Sequence, residues 1–221
     1  MHIAIFGASR PMGAQAAALA LQRGHTVSVV SRSGASDLAG RAGVSIVKGD
    51  ATVEGDVRSA VEKADAVLSF LGGGMKNSKD ALPNARFAKL ITKALRDDIP
   101  FVTVSNIGAS PESLAHQSPL YRWIAVPLYM KPILEDKREM EATLKSSSLK
   151  KWAALRCAQL TDAEPDASKV VVKVDDTISV VSNRTKRGDV SIVALDLVEG
   201  KRDDIDTKTC RVLKIETRPN S

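Results

Sequence analysis

The segment Gly7-Ala-Ser-Arg-Pro-Met-Gly13 constrains the fold of this chain more than any other. It stands between the apolar run His2–Phe6 and an alanine-rich stretch that closes on Gly24. A short apolar run broken by glycine reads as a buried strand that must turn sharply at its end. Pro11 suits the first position of a helix, where its fixed φ is already helical and its missing N–H is not needed. The stretch AQAAALALQRG carries that helix to Gly24, a residue adapted to the left-handed conformation beyond a helix end. Strand, glycine turn and helix in succession open a βαβ unit.

The alternation continues. Strands are predicted at Thr26–Val30, Val44–Val47, Ala66–Phe70 and Phe101–Val104, and helices across Val53–Glu62 and Leu82–Arg96, with a short helix or turn between Val30 and Val44. Strands and helices alternating at this spacing predict an α/β fold built on a doubly wound parallel sheet. Aromatic residues are only 4% of the chain, so the core must come from Ala, Val, Ile and Leu, which suit strands buried on both faces.

Segment 106–126 reads as a long irregular loop over an active site. An amphipathic helix is expected over Leu128–Leu144, begun or kinked by Pro132, and a sixth strand at Trp152–Leu155. Beyond these come short strands at 170–174 and 178–181, a helix near Asp189–Leu197 and a last strand at 210–215. With no repeat and no linker, residues 1–221 are expected to form a single domain, the part from about residue 157 supplying a small C-terminal substrate-side cap.

The net charge of +6 is compatible with a polyanionic ligand, but basic and acidic residues are interleaved, as in EGKRDDIDTKTCR. No basic block alternates with aromatics to make a stacking platform, so a small-molecule substrate is expected and a nucleic-acid partner is not. Cys157 and Cys210 lie far apart and form no CxxC, which predicts neither a disulfide framework nor a metal site. The first strand begins at once, with no basic and apolar leader, and no apolar run approaches the roughly 18 residues of a membrane span. A cytoplasmic protein without a membrane partner is expected.

The glycine loop has the chemistry of a phosphate site. Gly7 turns the chain, Gly13 lets the helix approach the sheet, and the first helical turn (Pro11, Met12, Gly13) offers N–H groups to a pyrophosphate, with Ser9 as a further donor. At the end of the second strand, an NAD site usually carries Asp or Glu to accept from the ribose 2′-OH. Here the residues are Ser31, Arg32 and Ser33. Arg32 can pair with a 2′-phosphate, the serines can donate to it, and Arg10 can reach it from the other side. Asp50, after the third strand, can accept an adenine amino group, with Ala51 leaving room for the ring. Gly72, Gly73 and Gly74 follow the fourth strand and permit close backbone approach. The combination predicts NADP(H) rather than NAD. The alternatives are a plain βα turn with a chance glycine pair and a solvated surface arginine.

The segments IAIFGAS (3–9), VVSRS (29–33), GDA (49–51), VLSFLGG (67–73), VTVSNIG (102–108) and EDKREMEATLKSSSLKKWAALRCAQLTD (135–162) together resemble the atypical short-chain dehydrogenase/reductase superfamily. The likeness is greatest to small NmrA-like proteins and the biliverdin-IXβ/flavin reductase. It implies a Rossmann-type NAD(P)-binding fold, with Leu71, Gly72 and Gly73 beside the cofactor. It also implies Ser105 as the active-site serine, also near the cofactor, and Lys137 with Glu141 as the family's lysine and downstream glutamate. Cys157 stands where relatives commonly show proline, in a turn resembling the one that flanks the nicotinamide; a buried inert thiol is the other reading.

The chain also departs from the pattern. Arg10 replaces the middle glycine of GxxGxxG, and Pro11 follows it. The tyrosine of Tyr-x-x-x-Lys is Ile133, which cannot act as an acid. Tyr121 and Tyr129 are candidates to replace it, and His116 lies in the same segment with a suitable pKa range. The resemblance implies an NADPH-dependent reductase of a small conjugated or carbonyl-containing molecule. Two alternatives stand beside it: a non-catalytic NmrA-like NADP(H)-sensing regulator with a protein partner, and a tailoring isomerase or cyclase.

Overall fold

Every side chain from Ile3 to Phe6 of β1 (His2–Phe6) is buried, as a strand must be when it has neighbours on both edges and helices on both faces. The computed structural model describes residues 1–34, 36–72, 82–174, 184–202 and 211–217. β1 pairs in parallel with β2 (Thr26–Ser31) on one side and β4 (Ala66–Ser69) on the other. β3 (Val44–Lys48) extends the β2 side. On the far side β4 is followed by β5 (Phe101–Asn106), β6 (Trp152–Cys157) and β10 (Arg211–Thr217), all parallel. β8 (Val170–Val174) closes that edge antiparallel to β10, giving the order β3-β2-β1-β4-β5-β6-β10-β8.

Alternate residues of each strand enter opposite cores. Ile3 and Ile5 pack with Ala16, Ala17 and Ala20 of α1 (Pro11–Gln22) and with Val190 and Val193 of α6 (Arg187–Val198). The small face of α1 lets the two helices lie close, and Ser191 Oγ of α6 donates to the Met12 carbonyl at 3.0 Å. Ala4 and Phe6 face the other layer, made by α2 (Glu54–Val61), α3 (Asn84–Ala94) and α5 (Lys131–Lys145). There the Phe6 and Phe87 rings meet at a tilt with their centres 4.6 Å apart, worth about 1 kcal/mol beyond their burial. Among the described residues no helix is long and apolar enough to cross a membrane.

The alternating strands and helices fall where the sequence places them, with ends shifted by a few residues. Between Val30 and Val44 the described residues form turns rather than a helix. The strand expected at 170–174 is the sheet-edge β8; the one expected at 178–181 and Cys210 lie outside the described residues. Two three-residue strands, β7 (Gln159–Thr161) and β9 (Arg184–Lys186), form a separate parallel ladder too short to leave a periodicity.

The expected loop over 106–126 is a correction. It holds α4 (Pro111–Ala115), whose Ser110 accepts from the Ser113 N–H at its start, and then a π-helix, Tyr121–Met130. Pro127 within the π-helix hid it, because proline argues against a helix interior. The helix expected from Leu128 therefore begins only at Lys131, with Pro132 in its first turn, where proline is tolerated.

Candidate functional site

From β1 the chain runs to β2 and β3 on one side, then crosses to β4 and β5 on the other. Connections diverging this way leave a crevice at the carboxyl ends of β1 and β4, the usual ligand position in such sheets. A cleft of about 250 Å³ lies there, lined among others by Gly7, Ser9, Arg10, Ser31, Arg32, Asp50, Ala51, Leu71 and Gly72. Gly73 lies outside the described residues.

Two glycines shape the loop by what they lack. Gly7 has φ +85°, and a Cβ on it would stand 2.8 Å from the Phe70 carbonyl. A Cβ on Gly13 would stand 2.7 Å from the Ala8 Cα, so only glycine lets α1 begin directly beneath the loop. Arg10 is the N-cap and Pro11 the first helical residue; helix geometry leaves the Met12 and Gly13 N–H groups without intrahelical partners. The Met12 side chain itself packs against the core and does not line the cleft. We expect Gly13→Ala to cost about 1–3 kcal/mol through overpacking and to loosen dinucleotide binding; thermal melts with and without NADPH check both, and an unchanged melting temperature counts against this packing.

The far end of the cleft is positively charged. Arg10 and Arg32 are exposed, and among the described residues neither is drawn into an ion pair. Ser31 and Ser33 stand with their hydroxyls 3.2 Å apart on either side of Arg32. Asp50 Oδ1 accepts from both the N–H and the hydroxyl of Thr52 at 2.8 Å. The Thr52 bonds hold the Asp50 carboxyl below its usual range, helped by the nearby charges of Arg32 and Arg86. An adenine amino group would therefore have to use the other Asp50 oxygen. Sequence reasoning missed Thr52, which lines the cleft; the signal was the Asp-x-Thr turn motif.

A second cavity of about 600 Å³ opens beside the ends of β5 and β6, beneath the π-helix. It brings together Tyr121, Tyr129 and Cys157 with Asn106, Ile124 and Gln159. Lining positions 120/121, 124/125 and 129/130 recur every four to five residues, the repeat of a π-helix. Burial pushes the Tyr121 phenol up, so it stays protonated near neutrality. Burial also pushes the Cys157 thiol up to about 12, and its Sγ donates to the Leu155 carbonyl at 3.5 Å. Cys157 is thus a neutral wall of this cavity and does not line the cleft formed by Gly7, Arg10 and Arg32.

Ser105 and Lys137, expected in catalytic and cofactor roles, are buried and are not among the residues that line these two cavities. Ser105 is wholly buried, and its Oγ donates to Glu141 Oε1 at 2.6 Å. The same carboxylate takes Arg156 Nε at 2.9 Å and Nη2 at 2.6 Å in a buried ion pair. Lys137 is buried too, and its ammonium donates to the Val104 carbonyl at 2.6 Å, Asn84 Oδ1 at 2.7 Å and the Leu71 carbonyl at 3.2 Å. Those three acceptors match its three protons. Desolvation pushes its pKa down to about 8. Neighbouring Asp136 accepts from the Asn84 side chain at 2.7 Å and the Ala85 N–H at 2.8 Å, fastening the start of α3. The physical reason is the face of α5: residues 136, 137, 140, 141 and 144 point into the protein, so Lys137 holds the Leu71 wall of the cleft from behind. Ile133 on the same helix is half-buried, and His116 is exposed.

The family model described as NAD(P)H-binding matches residues 7–201. Solved structures with the same fold include a short-chain dehydrogenase/reductase from Veillonella parvula, 15% identical, covering 99% of this chain and 98% of that one with a TM-score of 0.74. Another from the same organism, in complex with NADP, is 16% identical over 96% of this chain and 94% of that one, TM-score 0.72. The anaerobillin reductase ChuY from Escherichia coli O157:H7 is 22% identical, with 100% of both chains covered and a TM-score of 0.74. At these identities the likeness establishes the fold. Among curated proteins no sequence matches this one.

Proposed function

The chain belongs to the NAD(P)H-binding family, and we propose that it is an NADPH-dependent reductase of a small conjugated or carbonyl-bearing molecule. The observation that supports the reading is the pairing of a cleft lined by Gly7, Arg10 and Arg32 with an apolar cavity further along the same carboxyl edge of the sheet. The residues present fit the cofactor: Gly7 and Gly13 let the loop pack against Phe70 with α1 starting directly beneath it, and Arg10 with Arg32 would supply the countercharge for a 2′-phosphate. NADPH, when bound, supplies the hydride. The π-helix side chains and Ile107 exclude water from the acceptor. Tyr121 and Tyr129 offer hydroxyls to the acceptor oxygen or nitrogen that gains negative charge. A conjugated acceptor needs little more acid help than this, which is consistent with Lys137 being occupied elsewhere.

The test is the loss of reduced-nicotinamide absorbance when protein and NADPH meet a panel of flavins, quinones, linear tetrapyrroles and carbonyl compounds. Turnover should fall roughly 10- to 100-fold in whichever of Tyr121→Phe and Tyr129→Phe removes the proton donor, with NADPH binding unchanged. A second reading has its own support. Ser105 and Lys137 are locked in internal networks, which suits a regulator that binds NADP(H) without turnover. Tight NADPH binding, inactivity across the whole panel and a protein partner recovered by pull-down would favour that regulator over the reductase.

A further inference from the structure

We propose that the π-helix is a docking surface for an anionic lipid bilayer, seating the mouth of the apolar cavity on the membrane. Trp123 is 73% exposed, Leu120 68% and Leu128 61%, and Tyr129 and Ile124 are also more than half or half open to solvent. The only other large apolar side chains exposed among the described residues are Met1 and Val53. No residue of the π-helix is buried. Concentrated exposure of this kind marks a contact surface rather than ordinary surface scatter. Leu120, Ile124 and Tyr129 line the cavity as well, so its opening passes through the exposed patch.

Charge decides what the surface meets. Between Glu112 and Glu135 the sequence holds no acidic residue, while Arg122 lies within the patch, where it also donates to the Ala115 carbonyl at 3.3 Å, Lys131 follows it, and the whole chain carries +6. The Arg122 guanidinium lies 5.8 Å from the centre of the Trp123 ring. Apolar side chains entering the acyl boundary, aromatic rings at headgroup level and basic side chains reaching the phosphates make the pattern of an interfacial helix. A second copy is a poorer partner, because a two-fold contact on this face would set Arg122 and Lys131 against the same charges. The expectation of no membrane partner rested on the lack of a spanning segment, and a surface contact needs none. This inference does not depend on the reductase reading.

Vesicle sedimentation tests it, comparing phosphatidylcholine vesicles with vesicles containing phosphatidylglycerol and following tryptophan emission. The protein should bind the anionic vesicles roughly tenfold or more tightly, as two basic side chains near such a surface provide, and release at high salt. Trp123 emission should shift to the blue on binding. Trp123→Glu and Leu128→Glu, neither lining the cavity, should abolish sedimentation while leaving NADPH binding intact. Failure of the wild type to bind anionic vesicles, or equal binding by both variants, overturns the proposal. So does a dimer that these variants dissociate in the absence of any vesicle binding.

Discussion

Replacing Arg156 with methionine is expected to cost about 3–5 kcal/mol of folding stability, the usual loss when one partner of a buried ion pair is removed. Arg156 on β6 reaches both oxygens of Glu141 on α5, and the two side chains are only 5% and 4% exposed. Methionine fills much of the volume but leaves a buried carboxylate whose remaining donor among the described residues is the Ser105 hydroxyl. Denaturant unfolding reads the effect as a lowered midpoint at unchanged slope. The double variant Glu141→Leu with Arg156→Met should recover part of the loss, because it removes the carboxylate that the single variant leaves without its arginine. A single-variant loss under about 1 kcal/mol contradicts the buried pair. The consequence for the site is indirect but large. The pair fixes α5 against the sheet, and α5 carries Lys137, which holds the Leu71 wall of the cleft.

Arg32→Glu is expected to raise the dissociation constant for NADPH by roughly 100-fold or more and to leave that for NADH within a few-fold. A charge-assisted hydrogen bond contributes about 1.5–3 kcal/mol, or roughly 10- to 150-fold, and reversal adds repulsion to its loss. The neighbourhood increases the effect. Arg32 lies close enough to Asp50 to help keep its carboxyl ionised, so without Arg32 a 2′-phosphate would meet that charge unshielded. Arg10→Ala should act in the same direction and more weakly, since Arg32 remains. Both effects should shrink at high salt, because both arginines are exposed. Isothermal titration with the two dinucleotides checks this, and equal losses for NADPH and NADH would mean that Arg32 shapes the cleft without reading the phosphate.

Much of the fold was legible because its signals are local. A buried parallel strand leaves an apolar run, α1 is bounded by Pro11 and Gly24, and Gly7 and Gly13 mark the turn between them. The ends of β1, β2 and β4 therefore pointed to one place, and Arg10, Arg32, Asp50 and Gly72 do line a common cleft there. The gathering of Tyr121 and Tyr129 was legible too, since both fall in the segment after β5 that covers the sheet edge.

What escaped depended on distant partners. The spacing of Lys137 and Glu141 sets them on one face of a helix, but sequence does not say what that face meets. It meets Val104 and Ser105 of β5 and Asn84 of α3, which consume the groups that the family resemblance assigned to catalysis. The π-helix escaped for another reason. Its repeat of four to five residues matches neither the α nor the strand template, and Pro127 argued against any helix there.

The central claim is that the Gly7–Gly13 cleft is an NADP(H) site. Parallel titration of the wild-type protein with NADPH and NADH at one ionic strength tests it most directly. The account predicts at least roughly tenfold tighter NADPH binding, a preference that disappears in Arg32→Glu. Equal affinities, or a preference for NADH, would contradict it.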